Sequence, residues 1–143
     1  MPRRSAALLA WLVLAALPLG CDTGPSVEDL TVHNRLKGVA ALYGRYQGKH
    51  RGQPPKNQQE FEQYLKSLDP QEYATFDATS PGDLFVSPRD GKPFVIKYGT
   101  NAGPPGADGS TPIIAHEAPS EGSAPLGVTT MGEIREMDAA AGS

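Results

Sequence analysis

Apolar positions follow three different patterns along the chain. From Ser5 to Leu19 they form an uncharged, nearly unbroken run. From Val32 they recur at Leu36, Val39, Tyr43 and Tyr46, spacings of 4, 3, 4 and 3 that draw one stripe along a helix. From Leu84 onward they shorten into runs interrupted by Gly, Pro and Asp-Gly, the mark of strands and turns.

Ser26 followed by Asp29 predicts an N-cap with a carboxyl partner three residues on, opening the striped helix. The helix is expected to stop near Gln47-Gly48, with Gly48 as the terminator and Lys49, His50 and Arg51 beside the negative end of its dipole. Asn34, Lys37 and Arg45 fall off the stripe. Gly52 to Lys56, with Pro54-Pro55, reads as an extended linker. A second helix should follow, with Asn57 and Glu60 as a capping box and Phe61, Tyr64, Leu65 and Leu68 on its buried face. It ends at Asp69-Pro70.

Residues 71–82 show no period; Tyr73 and Phe76 are candidate core side chains there. Leu84–Pro88 and Pro93–Tyr98 flank Arg89-Asp90-Gly91-Lys92, a hairpin signature because Gly accepts the positive φ such a turn needs. Gly99–Ser110 reads as a mobile loop, Pro112–Glu117 as a strand, and Leu126–Thr130 with Glu133–Met137 as a closing hairpin. Helices first and strands after predict an α+β fold: a long N-terminal helix and a short second helix packed on a small, mostly antiparallel sheet. Residues 26–138 make one domain and 139–143 a disordered tail.

Arg3-Arg4 before the apolar run matches a secretory signal, placed at residues 1–20. The run is shorter than the ~20 residues a membrane span needs. Gly20-Cys21, directly after it, resembles the lipobox of bacterial lipoproteins, with Pro18 standing where that family prefers Leu. The resemblance implies cleavage before Cys21 and a diacylglyceryl, palmitate-type anchor on its sulfur, with residues 21–25 as tether. A lone Cys in an exported chain has no intrachain disulfide partner, which agrees with a lipid on it. The expected address is the cell envelope, membrane-anchored on the extracytoplasmic, periplasmic side.

Ser87–Ile96 resembles the Asp-Pro-Trp-Gly-x-Pro-Tyr hairpin of the major pseudopilins of type II secretion. The helix carrying Tyr43 and Tyr46, followed by Gly52 and Pro54-Pro55, is similar to the start of prepilin-like exported domains, and Gly132–Met137 to their closing strand. The likeness covers about residues 30–138. A pseudopilin keeps its apolar helix, with Glu at the fifth mature position, and polymerises through it. Here the run ends at Cys21, so the resemblance implies a pseudopilin-like domain whose polymerising segment is replaced by a lipid tether.

Charge and chemistry refine this picture. From Cys21 on there are 11 basic and 16 acidic residues, a formal −5, which argues against a nucleic-acid partner. Six of the positives and no acid fall between Leu30 and Gln59. Within that segment Arg45, Lys49, Arg51 and Lys56 form a candidate basic patch for anionic head groups. His33, His50 and His116 stand apart in sequence. His33 and His50 are expected at the surface, and His116 on a strand facing solvent or a carbonyl.

No metal-ligand spacing or nucleophile elbow is present in the sequence. The Asp108-Gly109-Ser110 loop offers one carboxylate where calcium takes six to eight oxygens. Tyr43, Tyr46, Phe61 and Tyr64 read as core. The expectation is a non-enzymatic module without a cofactor, which binds the membrane through Cys21 and an envelope protein as partner. The competing expectation is a small exported hydrolase or ligand-binding protein with a cleft holding two or more titratable groups.

Replacing Cys21 by Ser should move the protein from the membrane to the soluble envelope fraction and abolish labelling by a fatty-acid analogue. Unchanged labelling would refute lipidation.

Overall fold

A computed structural model describes residues 24–99, 111–120 and 123–138. The expected signal, Cys21 and the expected tail at 139–143 lie outside them, as does nearly all of the loop expected at 99–110. Helix α1 spans Val27–Lys49, and the rest of the domain is laid against its stripe. Ser26 caps it as expected: the Ser26 hydroxyl accepts from the Asp29 amide and the Asp29 carboxylate from the Ser26 amide, both at 3.1 Å. Val32, Leu36, Val39, Tyr43 and Tyr46 are all buried, and Leu42 joins them.

Gly48 does not stop the helix. The chain continues to Lys49, with His50 as C-cap. The His50 ring stacks on Tyr46 at 3.9 Å and its Nδ1 lies 2.8 Å from the Tyr46 carbonyl, which satisfies an end that would otherwise need an earlier terminator. Arg51 then takes a left-handed turn (φ 56°), and the Gly52 amide reaches back to the Gln47 carbonyl at 2.7 Å.

Helix α2 spans Gln58–Lys66. Asn57 caps it by accepting from the Glu60 amide at 2.9 Å. The reciprocal half of the expected capping box is shifted by one residue: Glu60 accepts from the Lys56 amide, at 2.8 Å, while its other oxygen takes the Tyr46 hydroxyl. Asp69-Pro70 does more than end α2. Asp69 caps a third helix, α3 (Pro70–Ala74), with Pro at the first position where a missing N–H costs nothing. Tyr73 is buried on it, and Phe76 packs half-buried behind.

The first half of the expected hairpin is not a strand. Pro81–Phe85 form a 3-10 turn, and only Val86 and Pro93 make a bridge. Prolines 81, 88 and 93 lack ladder donors, and the Asp83 carboxylate gathers the Thr79 and Ser80 amides and the Thr79 hydroxyl at 2.7–2.9 Å. The turn itself is as expected, with Gly91 at φ 69°.

Strands β1 (Val95–Ile96), β2 (Ile113–His116), β3 (Leu126–Thr129) and β4 (Ile134–Glu136) form an antiparallel meander in that order, with α1 across its face. The α+β expectation holds: a long helix and a short second helix with a four-stranded antiparallel sheet.

Along α1, Gly38 lies so close to Phe76 that an added Cβ would fall 2.7 Å from the Phe76 Cβ and Cγ. Gly38→Ala should therefore overpack this contact and cost about 1–3 kcal/mol, read as a lower urea midpoint with unchanged slope. A neutral result would show that Phe76 yields freely.

Candidate functional site

Three constellations of polar or exposed groups stand on this frame. The first is a buried ionic clasp. Glu117, 5% exposed, follows β2. One of its oxygens accepts from the Ser87 hydroxyl at 2.8 Å. The other takes Arg89 at 2.9 Å and the Leu126 amide at 3.0 Å. Arg89 also donates through Nε to Asp29 in the first turn of α1, at 2.8 Å. Hydrogen bonds from Ser26, with Arg89 assisting, hold the Asp29 carboxyl below its ordinary range. Every oxygen of Glu117 is thus taken by the protein, and the arrangement ties segments rather than offering a reactive group.

The second lies at the opposite end of α1. Tyr43, Tyr46, Phe61 and Tyr64 are core residues, as expected, packed edge-on at 5.3–6.4 Å between helices α1 and α2. The Tyr46 hydroxyl donates to Glu60 at 2.6 Å. Burial, and then Glu60, push its pKa up to about 12. That bond, followed by the Lys56 amide, lowers the Glu60 carboxyl.

The candidate basic residues surround this seam, all exposed. Arg45 pairs with Glu72 and the Lys49 ammonium sits 5.1 Å over the Tyr64 ring. Arg51 lies just past the helix end and Lys56 just before α2. In sequence this group is the basic part nearest Cys21. In space, a helix of 23 residues sets its end about 33 Å from its start, so Lys49 stands far from Val27.

The third is a groove of about 380 Å³ between α1 and the β3–β4 turn. Its floor is low because Ala40, Ala41 and Gly44 share one helix face with Lys37 at the rim. Phe76 closes one side. Across it stands Met131, 82% exposed. Thr129, fully buried, builds the turn that presents Met131: its hydroxyl accepts from the Met131 and Glu133 amides at 3.3 and 3.2 Å, and its carbonyl from the Gly132 amide at 2.9 Å. A flexible, polarisable Met beside a shallow apolar floor suits contact with another molecule. Lys37 is the one titratable residue in the lining of this groove.

His33 is half-buried and His50 exposed. His116 turns its Nδ1 to the Glu117 carbonyl at 2.8 Å, as expected of a strand residue facing a carbonyl. Among the described residues no group of three or more His, Cys, Asp or Glu is placed to hold a metal ion. No helix there is long and apolar enough to cross a membrane. Cys21 and the Asp108–Ser110 loop lie outside the described residues. No family model, curated protein or solved structure matches the chain.

Sequence reasoning did not single out Met131, Arg89 or Glu117. The only signal for Glu117 was an acid closing an otherwise apolar strand.

Glu117→Ala should cost about 3 kcal/mol, because it strands the Ser87 hydroxyl, the Leu126 amide and half of Arg89 in a buried setting. Asp29→Asn, on the exposed side of the same clasp, should cost less. Equal losses in denaturant titrations of the two variants would contradict this ranking.

Proposed function

We propose that this chain is a lipid-anchored, non-enzymatic domain of the bacterial cell envelope, held on the extracytoplasmic side through Cys21, whose role is to bind a protein partner. The observation that carries the reading is the shortness of the connection between anchor and fold. Ser26 already caps α1, and five residues of chain reach at most about 18 Å. A domain so tethered works at the membrane surface, where anchoring concentrates it near other envelope proteins.

The groove beside Met131 is the surface we assign to the partner. Its small-residue floor suits one apolar side chain, and Lys37 at its rim suits a carboxylate next to that side chain. The order of elements, a long helix followed by an antiparallel meander, agrees with a pseudopilin-like domain. In that reading the protein is a lipid-tethered companion of a secretion or pilus-like assembly, without a polymerising helix of its own.

A photo-crosslinking residue at Met131, in the full chain in its own membranes, should give an adduct of one defined mass. The same residue at exposed Gln63 on α2 should not. Met131→Glu should reduce co-purification of that partner about tenfold, the effect of losing one well-buried anchor side chain. Recovery of a solitary monomer from both positions would sink the interaction reading while leaving the anchor untouched.

A further inference from the structure

We propose that the first turn of α1 is a second, non-covalent foot on the membrane: Val27 and Leu30 enter the interfacial layer of the bilayer beside the lipid on Cys21. This inference rests on the lipid-anchor reading and adds to it the face by which the domain meets the bilayer.

Val27 is 80% exposed and Leu30 is 51% exposed, two of the four large apolar side chains that the described surface leaves bare. Three residues apart, they point to the same side of the helix. With 3.6 residues per turn, Glu28 and Asp29 lie about 130° to either side of their midline. The Asp29 charge is already engaged by Arg89. One turn on, the same face carries the polar Asn34, which donates to Asp77 at 2.6 Å. The bare apolar pair therefore lies on the turn that the tether enters, next to the Ser26 cap.

The connection to the lipid selects the occupant. A patch six residues from an acylated Cys is held within reach of the bilayer whenever the anchor is inserted. The pair then needs no affinity of its own, since the tether makes its insertion intramolecular. The basic end of α1, some 33 Å away, would compete for anionic lipid only if the helix lay flat. With the foot inserted, α1 stands away from the surface. Lys37 and Gly44 in the groove are then carried about 15–26 Å along the helix from the bilayer, where a partner can reach them.

The test uses the lipidated full-length protein purified from membranes. It is reconstituted into vesicles of phosphatidylcholine brominated in its acyl chains, with a minority of phosphatidylglycerol. The single Trp of the chain is Trp11, in the signal, so an introduced Trp is a unique reporter in the mature protein. Val27→Trp and Leu30→Trp, both at exposed positions, should be quenched about twofold and blue-shifted, as expected of a side chain at the headgroup–acyl boundary. Lys49→Trp should be neither.

Absence of quenching at 27 and 30, or equal or stronger quenching at 49, would overturn the foot. Flotation of the vesicles reports the anchor separately: protein that floats but is unquenched refutes this inference alone. Protein that fails to float refutes the anchor reading. In that case Cys21 is coupled to a maleimide-headgroup lipid, and the same quenching comparison still decides whether the first turn inserts.

Discussion

One buried carboxylate holds the two halves of this fold in register. Glu117 brings an ion into a site where its desolvation costs several kcal/mol, and only a full set of partners offsets that cost. The partners come from the 87–89 turn and the start of β3, and Arg89 extends the set to the first turn of α1. Shifting α1 along the sheet, or opening the turn, would leave the charge exposed to an apolar interior. The clasp thus specifies one placement of helix on sheet where an apolar contact would tolerate several.

The opposite end of α1 is held by different physics. There Tyr43 and Tyr46 on α1 pack edge to face against Phe61 and Tyr64 on α2, and Phe61 continues the seam to Phe85 in the 3-10 turn. The Tyr43 hydroxyl pins the end of β1 through the Lys97 carbonyl at 2.9 Å. Between the two ends α1 is lined with small residues. Gly38 lets Phe76 approach, and Ala40, Ala41 and Gly44 leave the groove open. Firm ends and a slender middle are what give the domain a recess along α1.

Helices α1 and α2 were legible because their signals are local, whereas the five-residue α3 is too short to show a period. A stripe of period 3.6, a Ser26–Asp29 pair and an Asn57 cap each act within a few residues, and all appear in the structure. The end of α1 was misplaced by one residue because His50 closes it through a ring stack on Tyr46, a tertiary detail hidden by the more familiar glycine signal. The hairpin at 84–98 was half-legible. Its Asp-Gly turn acts locally, but whether Leu84–Phe85 extend depends on three prolines and on Asp83 collecting donors behind them. The clasp was illegible for a simpler reason: Asp29, Arg89 and Glu117 are 60 and 28 residues apart, and charge alone does not say which acid meets which base.

The Ser26 cap has a mechanical side. In the proposed tethered arrangement, a pull on the domain would enter at one point, the start of α1. Force arriving there meets the Asp29–Arg89 pair first, and through Arg89 it passes to Glu117 and into the sheet. The pull is thereby shared between helix and sheet at the point of attachment, instead of peeling α1 from its N-terminus one turn at a time. Under such a load, a salt bridge on the exposed side of the clasp would act as a rivet at the start of α1.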